Sequence, residues 1–287
     1  MLFLGKAQTK ISMVSNIFEM KRYSTVLTIA GSDSGGGAGI QADIKAISAT
    51  GSYAASALTA VTVQNTLGVE SVHAVPVETI AAQIEAVLSD IGADAVKTGM
   101  LHSGEVVRTV YEQLCRHDVR NLVLDPVMVS TSGHRLIEES AVELLATLLI
   151  PMARVITPNI PEAEILSGQK ISSKDDFPRI AKKLSCGGKV SVLMKAGHLE
   201  GGDMADLFYN AEKDSFLELR SERVDSCNTH GTGCTLSSAF ASYLAQGMDL
   251  DDAARASKTY ISKAISSGAR YEIGHGHGPV DHFWMLH

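Results

Sequence analysis

Residues 228–238 read Asn-Thr-His-Gly-Thr-Gly-Cys-Thr-Leu-Ser-Ser, and they place two glycines directly before an apolar-periodic helix. The helix is indicated by apolar residues at the i, i+3, i+4, i+7, i+8 spacing of one buried face, namely Leu236, Ala239, Phe240, Tyr243 and Leu244. Cys234 would then lie in the first turn, where unpaired N–H groups and the helix dipole favour negative charge. The segment therefore predicts a site for a bound anion or a thiolate, and the alternative is a glycine-rich turn with a small buried cysteine.

A second group of polar residues follows the predicted strands. Gln64, Asp125, Asn159 with Glu162, and Lys195 with His198 each stand at or just beyond a strand end. Acids that hold Mg²⁺, a lysine for phosphate charge and backbone N–H groups for oxyanions are the parts of a phosphoryl-transfer site. Singly, such residues are usually turn residues or helix caps, and it is their convergence that indicates chemistry.

The first loop, residues 31–39, has five glycines in nine residues and leads into a helix. It is neither a Walker A motif nor a dinucleotide fingerprint, so it indicates either close backbone approach to a ligand or a flexible turn. In the helix, Ile40, Ile44 and Ile47 define an inward face, and Asp43 lies on the same face. A carboxylate there needs a partner or a substrate.

Near the end of the chain, residues 274–278 read Gly-His-Gly-His-Gly. His275 and His277 suggest metal binding, but no third ligand stands nearby in the sequence. We therefore expect a glycine-rich turn.

The elements that must position these residues alternate along the chain. Strands are predicted at 26–30, 57–63, 95–98, 122–125, 155–157 and 190–195, and helices at 39–49, 80–91, 105–117, 140–149, 162–167 and 176–186. Buried strands separated by helices predict a mostly parallel sheet covered on both sides. Residues 206–210 and 215–219 break the alternation as a late antiparallel hairpin. In such sheets the ligand lies beyond the carboxyl ends of the strands.

Composition narrows the class of protein. The chain has 287 residues, 45% of them hydrophobic, with a formal net charge of −7 and interspersed charges. We expect one large α/β domain without a nucleic-acid surface, and the absence of an apolar run of about 18 residues argues against a membrane span. The four cysteines form no C-x-x-C pair and follow no secretory signal, which predicts reduced thiols in a cytoplasmic protein.

The domain is expected to cover residues 23–287. Residues 1–22 look like a dispensable N-terminal extension, and Met20, just before the first strand, is the hypothetical natural start. A transit peptide is the alternative for this segment.

Taken together, these segments resemble the hydroxymethylpyrimidine/phosphomethylpyrimidine kinases of thiamine biosynthesis, a branch of the ribokinase-like family. The resemblance runs from about residue 23 to residue 284. Its matching segments are residues 30–33, 36–43, 59–60, 64–66, Lys97-Thr-Gly-Met100, Leu124-Asp-Pro-Val127, 157–163, 194–198, 228–236 and 274–279.

The resemblance implies a ribokinase-like three-layer α/β/α sandwich that uses ATP and Mg²⁺. It also implies two successive transfers, first to the hydroxymethyl group of 4-amino-5-hydroxymethyl-2-methylpyrimidine and then to the resulting monophosphate. A homodimer is a further implication.

Roles carry over by position. The resemblance implies polar contacts to the pyrimidine for Gly31, Asp43 and Gln64, and apolar walls for Ala38, Met100 and Val127. It implies a metal and phosphate network for Asp125, Asn159 and Glu162, and a contact to the nucleotide phosphates for Lys195. Gly231, Thr232 and Gly233 would form the cradle for the transferred phosphoryl group. Cys234 stands where many ribokinase-like enzymes have an aspartate base. We expect the helix terminus to lower the pKa of the Cys234 thiol, so that a thiolate accepts the hydroxyl proton.

Two other functions stay open at this point. A pyridoxal or pyridoxine kinase is the nearest, because its ring and hydroxymethyl group are of similar size. Gln64 favours the pyrimidine, since a side-chain amide can pair with the amino group and a ring nitrogen. The other is a non-catalytic pyrimidine-binding protein, which would need neither the Cys234 base nor the Glu162 metal acid.

Overall fold

The computed structural model describes residues 22–128, 137–196 and 204–287. In chain order the strands of this part are β1 Thr25–Asp33, β2 Tyr53–Asn65, β3 Gly68–Ala74, β4 Ala95–Thr98, β5 Leu122–Leu124, β6 Val155–Ile156, β7 Ser191–Met194, β8 Met204–Asn210 and β9 Ser215–Ser221. They form one sheet in the order β3-β2-β1-β4-β5-β6-β7-β8-β9. Strands β2, β1, β4, β5, β6 and β7 run parallel, whereas β3 and β8 are antiparallel to their neighbours. The mostly parallel sheet with a late hairpin is therefore confirmed.

Helices cover both faces of this sheet. They are α1 Gly39–Ala49, α2 Val77–Asp90, α3 Gly104–Arg116, α4 Glu139–Leu144, α5 Ile160–Ser167, α6 Phe177–Leu184, α7 Thr232–Ala245 and α8 Leu250–Gly268. Because successive strand residues point to opposite faces, the sheet feeds two cores. Leu27 and Leu122 pack in the core that α2 to α6 cover, and Val26 and Val123 pack in the core under α1, α7 and α8. This is the three-layer α/β/α sandwich.

Helix α7 is the most deeply buried of the eight. Gly231 precedes it with a φ of 77°, and after its last residue Gly247 has a φ of 87°. The buried face of α7 is wider than the apolar face predicted from the sequence, because Thr235, Ser237 and Ser238 are also buried. Their small side chains let α7 lie close to the sheet and to both of its helical neighbours.

The structure differs from the sequence-based elements in four places. Edge strand β3 and the 19-residue helix α8 were not predicted. The helix expected at 140–149 is α-helical only through α4 and continues as a π-helical turn, Leu145–Leu149. Ile44 is 36% exposed, so its place on the inward face of α1 was wrong, whereas Ile40, Asp43 and Ile47 are buried.

No helix in the described ranges is long and apolar enough to cross a membrane. Residues 1–21 and His198 lie outside the described residues, so the dispensable extension stays a prediction.

Candidate active site

A cavity of about 510 Å³ opens at the carboxyl ends of the parallel strands. All of the site residues inferred from the sequence except Asp43 line it, namely Gly31, Ala38, Gln64, Met100, Asp125, Val127, Asn159, Glu162, Lys195, Gly231, Thr232, Gly233 and Cys234. They come from seven different strand ends and loops, and the parallel sheet brings those ends to one edge.

The anion loop, residues 229–233, meets the first glycine loop in the cavity. A Cβ at Gly231 would overlap the carbonyl oxygen of Gly37, and the positive φ of Gly231 disfavours any other residue as well. The first turn of α7 presents backbone N–H groups that have no partner within the helix. A loop of this shape at a helix N-terminus is typical of an anion site.

A cation and two carboxylates adjoin this loop. Lys195 Nζ lies 2.9 Å from Asp125 Oδ1 and 3.9 Å from Glu162 Oε2. A Cβ at Gly233 would lie 3.2 Å from Lys195 Nζ and 3.6 Å from Asp125 Oδ2, so the three groups share one region of the cavity. Burial raises the pKa of Asp125, but the charges of Lys195 and Lys97 outweigh it and hold that pKa below its usual value.

Glu162 has a structural and an electrostatic role. It forms a capping box with Asn159: Asn159 N donates to Glu162 Oε2 at 2.8 Å, and Glu162 N donates to Asn159 Oδ1 at 2.9 Å. Burial raises the pKa of Glu162 to about 7, with Lys195 acting against the rise and Asp125 adding to it. A further cation near this pair of acids would favour the ionised form.

The Cys234 thiol faces the cavity but is not a ready-made thiolate. Burial raises its pKa to about 11, the charge of Lys97 opposes the rise, and Asp43 and Asp125 add to it. The expectation that the helix terminus lowers this pKa was wrong, because the dipole acts on a sulfur that has lost its solvent and whose ionised form two carboxylates disfavour. At neutral pH the group is a thiol.

The position of Asp43 differs from the expected contact with the substrate. Its carboxylate is completely buried and accepts hydrogen bonds from Thr28 Oγ1 at 2.6 Å, from Ser238 Oγ at 2.7 Å and from Lys97 Nζ at 2.8 and 2.9 Å. The structure therefore places Asp43 beneath the cavity instead of on its wall. Its partner Lys97 comes from the buried strand β4, and no spacing in the sequence connects the two.

The opposite wall of the cavity is suited to a flat ring. A Cβ at Gly31 would overlap the terminal methyl group of Met100, which would have to shift. Gln64 presents its amide at the end of β2, and Thr62 and His230 lie within hydrogen-bond distance of it. Ala38 and Val127 complete the apolar lining.

Sequence reasoning missed two residues that shape this wall, Asp33 and His230. The Asp33 carboxylate accepts from Gly35 N and Ala38 N at 2.8 Å and from Gly37 N at 3.1 Å, and it lies 2.9 Å from His230 Nε2. The first loop is thus organised around one side chain and is not a flexible turn. The signal was present, since an aspartate in a glycine-rich segment commonly accepts N–H groups of its own loop.

The histidines near the C-terminus form no metal centre with other described residues. Gly276 N and His277 N donate to Thr66 Oγ1 and O at 3.2 and 2.9 Å, so the segment bends and packs against the residue that follows β2. Across the described ranges, no group of three or more His, Cys, Asp and Glu side chains is arranged to hold a metal.

A ribokinase-like sandwich with an anion loop, a lysine and two acids at its strand ends defines a phosphotransferase of small molecules. A model of the phosphomethylpyrimidine kinase family matches residues 33–281, and the chain belongs to that family.

Curated relatives agree with this assignment. The hydroxymethylpyrimidine/phosphomethylpyrimidine kinase of Rhizobium meliloti is 47% identical over 258 residues, which cover 90% of this chain and 96% of the relative. A thiamine biosynthesis bifunctional protein of Geobacter sulfurreducens is 47% identical over 276 residues. The match covers 96% of this chain but only 56% of that relative, so the chain spans about half of the bifunctional protein.

Solved structures show the same fold. A phosphomethylpyrimidine kinase from Clostridium difficile is 47% identical with a TM-score of 0.75, over 84% of this chain and 99% of that one. An ADP complex of Bacillus subtilis pyridoxal kinase is 34% identical with a TM-score of 0.84, over 92% of this chain and 99% of that one.

Proposed function

We propose that the protein transfers a phosphoryl group from ATP to the hydroxymethyl group of 4-amino-5-hydroxymethyl-2-methylpyrimidine, and then a second one to the monophosphate, in thiamine biosynthesis. The observation that carries this proposal is that Gln64, Cys234 and the anion loop line one and the same cavity. The relatives named as hydroxymethylpyrimidine/phosphomethylpyrimidine kinases support it.

The residues around the anion loop would stabilise the transferred group. We propose that backbone N–H groups of the segment Gly231, Thr232 and Gly233 bind the oxygens of the phosphoryl group, with Lys195, which lines the same cavity, supplying positive charge. Because phosphoryl transfer has a loose transition state, positioning and charge contribute more than the base does. Asn159, beside Lys195, completes the proposed nucleotide contacts.

Mg²⁺ fits the acids of this site. Asp125 and Glu162 both line the cavity, and their mutual repulsion contributes to the raised pKa of Glu162. Mg²⁺ commonly takes one or two carboxylates and fills its other positions with phosphate oxygens and water. We propose Asp125 and Glu162 as its protein ligands, where the ion would neutralise phosphate charge.

Cys234 would accept the hydroxyl proton during transfer. With a pKa of about 11, Cys234 is a thiol in most molecules at neutral pH. Only the thiolate fraction, formed when the thiol first loses its own proton to solvent, would accept the hydroxyl proton as the P–O bond forms. The positive charge of Lys97 favours this thiolate.

A pyridoxal kinase is the second candidate, because pyridoxal kinases of Bacillus subtilis and Staphylococcus aureus share this fold at TM-scores of 0.84. The Gln64 amide favours the aminopyrimidine, whose edge offers one donor and one acceptor.

An initial-rate assay at fixed ATP and Mg²⁺ tests the proposal with the pyrimidine alcohol, its monophosphate and pyridoxal in separate reactions. We expect turnover of both pyrimidines and slower turnover of pyridoxal. Faster turnover of pyridoxal would replace the proposed substrate. Tight pyrimidine binding without ATP consumption would instead indicate a binding protein.

We also propose a cytoplasmic homodimer in which residues 1–22 are dispensable. Val61, Val63 and Val72 on β2 and β3 are 42–51% exposed, which is consistent with a covered surface in a dimer. Light scattering of the full chain and of a chain lacking residues 1–19 tests both statements. A monomer, or a loss of folding on deletion, would contradict them.

A further inference from the structure

His230 connects the substrate wall with the anion loop. It is buried, it directly precedes Gly231, and its Nε2 lies 2.9 Å from Asp33 Oδ2 and 3.3 Å from the Gln64 amide. A Cβ at Gly37 would overlap the His230 ring, so the ring is packed between the two glycine loops. None of the roles assigned above uses this side chain.

The contact with Asp33 fixes where the proton of His230 lies. The Asp33 carboxylate already accepts from three backbone N–H groups, and hydrogen bonding to His230 helps to keep its pKa below the usual value despite burial. A carboxylate can only accept. His230 Nε2 must therefore carry a hydrogen and donate it.

That hydrogen determines which end of the Gln64 amide can face His230. The oxygen and nitrogen of an amide have the same shape and are distinguished by their partners. With the amide nitrogen on the His230 side, two N–H donors would face each other 3.3 Å apart with no acceptor between them. The amide oxygen on that side would avoid this opposition and would share the one Nε2 hydrogen with Asp33, which remains its nearer acceptor at 2.9 Å.

Thr62 leads independently to the same orientation. Its hydroxyl has one hydrogen and donates it to the carbonyl oxygen of Ser32 at 2.8 Å. The end of the Gln64 amide that lies 3.0 Å from Thr62 Oγ1 must then be the donor. Turning the Gln64 amide by half a turn places its oxygen at His230 and its nitrogen at Thr62, as both arguments require.

We propose that His230 is a specificity-determining positioning residue, which holds the Gln64 amide with its oxygen towards the anion loop and its nitrogen towards Thr62. The inference rests on the proposed function. The free edge of the amide then offers one lone pair beside His230 and one N–H beside Thr62. This matches the 4-amino group and the adjacent ring nitrogen of the aminopyrimidine in one direction only.

The direction has a consequence for the reacting group. In the substrate the 4-amino group and the 5-hydroxymethyl group are on neighbouring carbons. An amino group beside His230 therefore places the hydroxymethyl group on the His230 side of the ring, and His230 belongs to the anion loop. The same histidine would select the ring edge and orient the hydroxyl for transfer.

A substrate analogue whose ring edge has its hydrogen-bond donor and acceptor exchanged tests the proposal. The pyrimidin-4-one analogue replaces the amino group by a carbonyl acceptor and carries a hydrogen on the adjacent ring nitrogen. It is compared with the aminopyrimidine in wild type, His230→Phe and His230→Gln, by kcat/KM at fixed ATP and by calorimetric binding without ATP.

We expect wild type to favour the aminopyrimidine by at least about 100-fold, because the inverted edge leaves polar groups unpaired. In His230→Phe the amide is free to rotate, and the preference should fall below about tenfold. His230→Gln keeps an N–H donor and should retain most of the preference.

An equal loss for both compounds in His230→Phe, with the ratio unchanged, would overturn the inference and leave only a packing role for the ring. Wild type without a preference would also overturn it. Selective binding of the aminopyrimidine without phosphorylation would overturn the proposed function alone. Absence of aminopyrimidine binding would overturn both.

Discussion

Lys97 Nζ lies 2.8 and 2.9 Å from the two carboxylate oxygens of Asp43, and neither side chain has any exposed surface. The pair links β4 to α1, and Ser238 and Thr28 extend the link to α7 and β1. Attraction to Asp43, Cys234 and Asp125 outweighs burial and raises the pKa of Lys97, so the lysine stays charged beneath the cavity. The position of α7 and the charge behind Cys234 thus depend on one ion pair.

Breaking that pair should be costly. Lys97→Met leaves the Asp43 carboxylate buried without its cation, and we expect a loss of about 3–5 kcal/mol in the free energy of unfolding. The double variant Lys97→Met/Asp43→Asn removes both charges and should recover most of the loss. Urea denaturation measures both.

A matched control is Lys213→Met, which removes an exposed partner of Asp251. It should cost no more than about 1 kcal/mol. If Lys97→Met unfolds no more easily than this control, the buried pair does not stabilise the fold.

Cys234→Ser should lower turnover more than it changes substrate affinity. A serine hydroxyl is a weaker acid than a thiol, so even less of the anion that can accept the hydroxyl proton is present, while the cavity keeps its shape. We expect kcat to fall about 10- to 100-fold and KM to change less than about threefold. Steady-state kinetics measure this, with exposed Cys115→Ser as the control. Unchanged turnover would remove Cys234 from catalysis.

Alkylation should report the raised pKa of Cys234 directly. Because that pKa is about 11, the thiolate fraction and the iodoacetamide rate should increase about tenfold per pH unit between about pH 7 and 10, without a plateau. Peptide mass spectrometry resolves Cys234 from the other three cysteines. A plateau below about pH 9 would show that the thiol is activated in the free protein.

Activity should need more Mg²⁺ as the pH falls. The pKa of Glu162 is raised to about 7, so the group loses its negative charge below that pH. We expect the Mg²⁺ concentration for half-maximal rate to rise up to about tenfold between about pH 8 and 6. Protonation of ATP also changes its Mg²⁺ binding, and it does so equally in all variants. Glu162→Gln lacks the titrating carboxyl group and therefore measures this common part of the pH response. An identical pH response in Glu162→Gln would exclude Glu162 as a ligand.

The raised pKa of Glu162 also predicts how the free energy of unfolding changes with pH. Ionising Glu162 is harder in the folded protein than in the unfolded chain, whose reference pKa is 4.5. Wild type should therefore lose stability relative to Glu162→Gln as the pH rises from about 4.5 to about 7. Urea denaturation of both proteins across this range measures the difference, and a constant difference would contradict it.

Two glycines of the anion loop should respond differently to alanine. Gly231→Ala places a methyl group against the Gly37 carbonyl at a positive φ and should cost at least about 2 kcal/mol of stability together with activity. Gly233→Ala has no such backbone clash, and its methyl group would stand 3.2 Å from Lys195 Nζ. It should fold normally and weaken ATP use, as thermal denaturation and KM for ATP would show. Equal stabilities of the two variants would contradict this account.

The sequence by itself determined the layers of the fold and the edge at which the site lies. Short buried strands that alternate with helices admit few other arrangements, and the parallel direction brings Gln64, Asp125 and Lys195 to one edge. The start of α7 was also readable, because Gly231 and the apolar period behind it are local signals. Strand β3 was not, since its residues are mostly exposed and lack an alternating pattern.

Only the tertiary structure decided the partners and the charge states. Asp43 meets Lys97 across 54 positions and Ser238 across 195, and His230 meets Asp33 across 197. Such contacts place Asp43 beneath the cavity and organise the first loop. The pKa of Cys234 is likewise a property of its buried surroundings. Local spacing identifies which residues reach a strand end, but burial and long-range pairing depend on the packing of the whole chain.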